Sequence, residues 1–311
     1  MRVFIAGATG AVGSRLVPLL VAAGHRVVGT SRSEARLSAV ERAGATGVVM
    51  DPLDAASVRR AVLEAEPEVI VHELTALGGP MPDFRHFDEG FAMTNELRTR
   101  GTDHLLAAAS AVGGVRFIAQ SFTGWPNERT GGAVKTEEDP LDPTPTRPSQ
   151  QTSSAIRYVE TATTAAGGLA LRYGGLYGPG QLLGRGGQIV EMVRSRRLPV
   201  VGGGAGVWSF CHIDDAASAT AAAVTRGAPG VYNVVDDEPA AVSVWLPELA
   251  RVLDAKPPLR LPGWLARPLL GEHGLALMTT VRGSSNAKAK RELGWQPRYE
   301  TWRRGFREGL G

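Results

Sequence analysis

Three glycines near the start of the chain constrain its fold more than any other feature of the sequence. They have the spacing G-x-x-G-x-x-G over residues 7–13, directly after the short apolar run of residues 3–6. The first glycine permits a sharp turn, the second lets the backbone approach a diphosphate, and the third lets a helix pack closely on a strand. The segment predicts a nucleotide-binding turn at a helix N-terminus, with a purely structural glycine-rich turn as the alternative. The residues expected to contact the nucleotide are Gly7, Thr9, Gly10, Ala11, Val12 and Gly13.

Short apolar runs alternate with helical hydrophobic spacing through the first 172 residues. Helices are predicted at residues 12–23, 34–43, 55–66, 101–112 and 153–166, and strands at residues 3–6, 25–29, 47–50, 69–72, 115–120 and 169–172. A regular β-α alternation is typical of a parallel sheet with helices on both faces. The sequence therefore predicts an α/β fold with a Rossmann-type doubly wound parallel sheet.

The alternation stops twice, and these interruptions predict the domain organisation. Residues 123–151 are rich in Pro, Gly, Thr and Asp, which indicates a long loop beside a functional site. After residue 235, proline-interrupted helical segments such as residues 244–253 and 285–293 replace the earlier order. We expect residues 1–172, joined by residues 207–236, to form an NAD(P)-binding Rossmann domain. Residues 173–206 and 237–311 are expected to form a smaller substrate-binding cap.

Composition excludes several classes of protein. The 34 basic and 31 acidic residues give a net charge of only +3 without a dense Lys/Arg run, so no nucleic-acid partner is expected. Cys211 is the sole cysteine, which excludes an internal disulfide and disfavours a cysteine-based metal site, so no metal is predicted. No run approaches the ~20 apolar residues of a membrane span, and no signal-peptide pattern is present. We therefore expect no membrane association and a cytoplasmic location.

The end of the second predicted strand bears on which dinucleotide binds. NAD sites commonly place an acidic residue there to bind the ribose 2′-OH, but residues 27–32 read Val-Val-Gly-Thr-Ser-Arg. Arg32 suits a 2′-phosphate, with Ser31 as a second donor, whereas a solvent-exposed arginine is the alternative. We predict that NADP(H) is preferred and that NAD(H) is the secondary cofactor. Asp51 and Leu53, after the third strand, are expected beside the adenine, with a helix cap as the alternative for Asp51.

Several segments, in chain order, resemble the extended branch of the short-chain dehydrogenase/reductases, which is similar to NAD-dependent epimerases and dehydratases. They are the glycine loop and residues 70–76, 172–180, 210–215 and 289–295. The resemblance implies that Leu74, Thr75 and Ala76 line the nicotinamide side of the cofactor. Family members often pair through the helices at residues 101–112 and 153–166, so it also implies a homodimer. The small residues of these helices would equally allow packing onto the sheet.

The resemblance also implies a catalytic Tyr-x-x-x-Lys pair, which this chain lacks. The family's pair precedes a glutamate that corresponds to Glu160, so its positions fall at Thr152 and Ile156. The resemblance places Ser121 where the family has a catalytic Ser or Thr, and structural hydrogen bonding of this serine is the alternative. Tyr177 and Lys135 are the candidates for a displaced acid, against buried packing for the tyrosine and a solvated loop position for the lysine.

Glu73 differs from the family in another way. It places a carboxyl group where the family usually has an apolar residue, at the end of the fourth strand. Packing of this side chain at the edge of the core is the alternative to a role near the nicotinamide.

These observations predict an NAD(P)-dependent oxidoreductase that acts on a small organic substrate. Reduction of a carbonyl leaves an alkoxide that needs a proton donor, and this chain lacks the family's donor. Another residue then replaces the donor, or the substrate is already activated, or no hydride moves. A cofactor-bound isomerase, cyclase or dehydratase and a non-enzymatic NADP-binding sensor therefore stay open as alternatives.

Overall fold

Seven parallel strands form the central sheet of the computed structural model, which describes residues 1–311. Their order across the sheet is β7-β6-β5-β4-β1-β2-β3. The order reverses between β1 and β4, and the crevice at the carboxyl ends of such neighbouring strands is where doubly wound folds bind ligands. The strands are β1 (Arg2–Ala6), β2 (Arg26–Ser31), β3 (Thr46–Val49), β4 (Val69–His72), β5 (Arg116–Phe122), β6 (Leu169–Tyr173) and β7 (Gly230–Val234).

Twelve α-helices surround and extend this sheet. A π-helical turn (Leu97–Gly101) joins the fourth helix directly to the fifth. Short strand pairs outside the main sheet hold the connections of the second half, and one of them joins Val134–Lys135 to Gly283–Ser284. The helices are α1 (Gly13–Ala22), α2 (Leu37–Arg42), α3 (Ala55–Ala65), α4 (Phe87–Glu96), α5 (Thr102–Val112), α6 (Gln150–Ala165), α7 (Gln188–Arg194), α8 (Ile213–Thr225), α9 (Val242–Val252), α10 (Gly263–Thr279), α11 (Ala287–Leu293) and α12 (Trp302–Glu308).

Both faces of the sheet are covered, as alternation along β4 illustrates. Val69 and Val71 pack in a cluster with residues of α1 and α8, whereas Ile70 packs in a cluster with residues of α3 and α5. Successive residues of a strand point to opposite faces of the sheet. All three side chains are fully buried because helices cover both faces. The predicted α/β class and doubly wound parallel sheet are confirmed.

A further apolar core lies outside the sheet layers. It brings together residues from the segment after β6 and from the C-terminal helices, including Tyr177, Phe210, Trp245, Trp302 and Phe306. Phe210 lies within residues 207–236 but packs in this core, whereas its neighbour Cys211 packs against the sheet. The chain therefore crosses between the two cores at this point.

Helices α4 and α10 are among the helices that were not predicted from the sequence. Gly90 lies inside α4, and α10 contains Pro268 and a kink at Gly271, where φ is +67°. Glycine and proline lower helix propensity, which obscures the helical pattern. No helix has the combined length and apolarity that crossing a bilayer requires.

Replacement of Gly305 by alanine tests how closely α12 packs on this second apolar core. A Cβ at residue 305 would overlap the Tyr177 hydroxyl and ring. We expect Gly305→Ala to lower the free energy of unfolding by about 1–3 kcal/mol, the usual cost of overpacking. The matched control is Gly263→Ala in α10, where the nearest atom to a new Cβ is Leu275 Cδ1 at 3.6 Å. Equal urea midpoints for the two variants would contradict the described packing.

Candidate active site and dinucleotide pocket

The glycine loop has the geometry of a phosphate cradle. Gly7 has φ of +97°, and a Cβ there would lie 2.7 Å from the Glu73 carbonyl oxygen, so only glycine fits. A Cβ at Gly13 would overlap the Gly7 carbonyl oxygen. The N–H groups of Ala11 and Val12, just before α1, donate to no acceptor in the protein. These free donors and the bare glycine backbone fit a diphosphate group.

The end of β2 carries basic side chains with no acidic partner. Arg32 is exposed and makes no ion pair, and the Ser31 hydroxyl lies 3.5 Å from Thr9 Oγ1 and accepts from Ser33 N–H at 3.1 Å. A neighbouring cavity of about 330 Å³ is lined in part by Thr9 and Arg36. Arg36 was not predicted from the sequence, although its position four residues after Arg32 was the available signal.

Two further predicted contacts lie at the ends of β3 and β4. Asp51 Oδ1 accepts the N–H of Leu53 at 3.0 Å, whereas the cap of α3 is Asp54, so the alternative of a helix cap for Asp51 is wrong. After β4, Leu74 is half-buried, and Thr75 and Ala76 are exposed. The backbone of this segment is held in place, because Ala76 N–H donates to Thr94 Oγ1 at 3.0 Å on α4. The segment therefore presents an ordered edge beside the glycine loop.

Thr152 and Ile156, at the two positions of the family's pair, are both fully buried. Thr152 Oγ1 donates to Asp88 Oδ1 at 2.6 Å and accepts from Asn95 Nδ2 at 3.1 Å. Asp88 also accepts the N–H groups of Gln151 and Thr152 at the start of α6. This contact between α4 and α6 closes the place that a tyrosine would occupy.

Ser121 belongs to a buried ion-pair network. Its hydroxyl donates to Glu160 Oε1 at 2.6 Å, and Arg172 holds both oxygens of the same carboxylate at 2.7 Å. Arg98 lies nearby with Nε and Nη1 unpartnered, and burial lowers its pKa to about 10. The geometry matches the structural alternative for Ser121, although its partner is a side chain and not the backbone.

Tyr177 and Lys135 lie in two other contact networks. Tyr177 was predicted as a candidate for a displaced acid, but its ring is fully enclosed and contacts Phe210 and Phe306 in the second apolar core. Burial raises the pKa of Tyr177 well above its usual range, and the full enclosure of its side chain matches the alternative of buried packing. Lys135 is 4% exposed and pairs with Asp139 at 3.1 Å, so it is not a solvated loop lysine. No hydrogen bond joins these two residues to Ser121 or to each other.

An aromatic cluster lies between α4, the loop after β5 and α10. Phe87 stacks on Phe91 with ring centroids 4.4 Å apart, and Trp125 meets Phe87 edge to face at 5.3 Å. His273 packs against Phe87, its Nδ1 lies 2.9 Å from Thr146 Oγ1, and burial lowers its pKa to about 4. The cluster is therefore uncharged at neutral pH and offers an apolar wall for a flat substrate.

Comparison with known proteins places this chain in a family. The model of the NAD dependent epimerase/dehydratase family matches residues 3–234, so the chain is an enzyme of that family. A "3-diazoavenalumate denitrifying reductase" from Streptomyces sp. is 44% identical over 316 aligned positions, which cover 100% of this chain and 99% of the relative.

Solved structures agree in fold at low sequence identity. The UDP-glucose 4-epimerase of Thermotoga maritima has a TM-score of 0.77 and 19% identity, covering 100% of this chain and 97% of that one. The dTDP-glucose 4,6-dehydratase of Bacillus anthracis str. Ames has a TM-score of 0.74 and 17% identity, covering 100% and 95%. These likenesses bear on the fold alone.

Restoration of the family's pair tests whether the site is built for carbonyl reduction. Thr152→Tyr with Ile156→Lys would overfill one buried position and place a charge in the other. We expect the double variant to unfold at a lower temperature and to gain no ketone reduction. Thr152→Ser, which retains the hydroxyl contacts, serves as the control. A double variant that oxidises NADPH with ketones faster than the parent would overturn this interpretation.

Proposed function

We propose that this chain is an NAD(P)H-dependent reductase that removes nitrogen from a small organic diazo compound, with NADPH as the preferred cofactor. The 44% identity to a denitrifying reductase of a diazo substrate, along the whole chain, is the observation that carries the proposal. The buried Thr152 and Ile156 support it, because this chain has no tyrosine–lysine pair for the alternative chemistry.

The charge of the substrate explains how a reductase works without that pair. The bound cofactor supplies a hydride. A carbonyl group that accepts hydride becomes an alkoxide and needs a proton from the protein. A diazonium group, R–N₂⁺, carries a positive charge and becomes the neutral diazene R–N=N–H, which loses N₂ and leaves R–H. The protein then has to orient the substrate and exclude water, but it does not need to donate a proton, because this reaction forms no alkoxide.

The proposed cofactor site follows the carboxyl edge of the sheet. The free N–H groups of the glycine loop support diphosphate binding, and the unpaired Arg32 supports binding of a 2′-phosphate, with Arg36 as an added contact. The proposed set is Gly7, Thr9, Gly10, Ala11, Val12, Gly13, Ser31, Arg32, Arg36, Asp51, Leu53, Leu74, Thr75 and Ala76.

The substrate side of the proposal uses the second core. We infer that residues 173–206 and 237–311 act as the cap, which the apolar cluster around Trp245 and Phe306 supports. The aromatic wall of Phe87, Phe91 and Trp125 suits a flat unsaturated substrate. A homodimer through α5 and α6 is part of the same proposal.

A diazonium assay tests the reaction. Purified protein, NADPH and an aryl diazonium carboxylate should show loss of absorbance at 340 nm, release of one N₂ per NADPH and formation of the nitrogen-free acid. An enzyme-free mixture corrects for direct reduction, and Gly10→Val, which crowds the phosphate cradle, should abolish the enzymatic part. Turnover of ketones but not of diazonium salts, or sugar-nucleotide epimerisation without net NADPH loss, would contradict the proposal.

Arg32→Ala tests the cofactor preference. One charge-assisted hydrogen bond contributes about 1.5–3 kcal/mol, or roughly ten- to a hundredfold in affinity. We expect the variant to lose this factor for NADPH and to bind NADH as the parent does. Arg26→Ala, at the opposite end of β2, is the matched control and should change neither dissociation constant. Equal affinity of the parent protein for both cofactors would disprove the preference.

A further inference from the structure

The carboxyl group of Glu73 lies at the reversal point of the sheet, beside the glycine loop. Glu73 N–H donates to the Ala6 carbonyl at 2.8 Å, which continues the pairing of β4 with β1. Its own carbonyl oxygen is the closest atom to the face of Gly7 that lacks a Cβ. Residue 73 is therefore fixed against the first turn of the proposed phosphate cradle.

The side chain of Glu73 is enclosed and incompletely satisfied. It is 6% exposed, Tyr173 O–H donates to Oε1 at 2.6 Å, and Oε2 has no partner. Tyr173 also contacts Thr220 Oγ1 of α8 at 2.6 Å, so the surroundings offer hydroxyl groups and no cation. Burial raises the pKa of Glu73 to about 8, and the hydrogen bond from Tyr173 opposes this effect.

No other group in this cluster ionises near neutral pH. Burial raises the pKa of Tyr173 on β6 and the pKa of the nearby Cys211 thiol well above their usual ranges. His72, the neighbour of Glu73 on β4, points to the opposite side, where Nε2 lies near the Leu97 carbonyl and Thr102 Oγ1. Burial lowers the pKa of His72 to about 4, so it stays neutral. Gly7 of the glycine loop lies against the Glu73 backbone, and Thr220 of α8 contacts Tyr173; neither of these residues titrates.

We propose that Glu73 is a residue of the dinucleotide site and that the site accepts the cofactor only while this carboxyl group is the neutral acid. The inference rests on the proposed dinucleotide binding. A diphosphate on the glycine loop carries two negative charges, and an ionised carboxylate in the same low-dielectric region repels it. By linkage, the dinucleotide and the proton of Glu73 strengthen each other's binding. Glu73 thus makes cofactor affinity depend on pH through a residue that touches the cradle.

The direction of the pH dependence follows from this linkage. Below the pKa of Glu73 the acid is neutral and the dissociation constant is flat, whereas above it the constant rises as the proton is lost. We expect NADPH to bind at least tenfold more weakly at pH 9.5 than at pH 7, as measured by quenching of tryptophan fluorescence. NADH should show the same rise, because the effect acts at the diphosphate and not at the 2′-phosphate.

Glu73→Gln is the deciding variant, because the amide keeps the shape of the neutral acid. Its dissociation constant should change less than twofold between pH 7 and 9.5. Tyr173→Phe removes the donor that favours the charged form, so it should move the midpoint of the wild-type curve to higher pH. A flat wild-type curve, or the same rise in Glu73→Gln, would overturn the inference.

Calorimetry on the unmodified protein gives an independent test that needs no folded variant. NADPH titrations at pH 8.5 in two buffers of different ionisation enthalpy should report uptake of up to about one proton per dinucleotide. Binding without proton uptake overturns the role of Glu73 but leaves the proposed function intact. Failure of both dinucleotides to bind at pH 7 overturns the proposed function and the inference with it.

Discussion

The close approach of Gly7 to the end of β4 is the contact on which the geometry of the carboxyl edge of the sheet, where we propose that the dinucleotide binds, depends. β1 and β4 are neighbours at the point where the strand order reverses, so the first turn of the chain packs on the first residues after β4. The left-handed backbone of Gly7 and the missing side chain of Gly13 allow α1 to begin directly above this point. Glu73, the residue directly after His72, is therefore held beside the phosphate cradle.

The contact between α4 and α6 has a comparable role for the chemistry. Asp88 accepts three hydrogen bonds from Gln151 and Thr152, which ties the start of α6 to α4. A site closed in this way contains no phenol that protonates an alkoxide. The diazonium substrate that we propose needs no such acid, because its own positive charge makes it a hydride acceptor. The name of the 44% identical denitrifying reductase gives a diazo compound as its substrate, so the closed contact and the likeness both support the proposed function.

The fold was largely predictable from the sequence, because the buried parallel strands are short continuous apolar runs. The six predicted strands all correspond to strands of the sheet, and β4 was predicted with its observed bounds. Helices α4 and α10 were missed because glycine and proline interrupt their patterns. They carry Asp88 and His273, so much of the wall of the site was missed with them.

Side-chain direction was the other limit of the sequence analysis. Motif position correctly placed Ser121 near the end of β5, but only the pleat of the strand aims its hydroxyl at Glu160. Tyr177 follows β6 by a few residues, yet its side chain already packs in the second apolar core. Such outcomes depend on which of two cores a residue joins, and local spacing does not encode that choice.

The distribution of charged groups along this carboxyl edge of the sheet is uneven. Arg32 and Arg36 supply positive charge at the end of β2, whereas the end of β4 supplies a buried carboxyl group with a free oxygen. In the proposed site, NADPH brings its 2′-phosphate to the first place and its diphosphate to the second, so the first is complementary to it in any protonation state and the second only when Glu73 is neutral. The carboxyl group does not face water, because it is enclosed and accepts a hydrogen bond from Tyr173, whose hydroxyl in turn contacts Thr220 on α8. Protonation is the remaining way to match the site to its ligand.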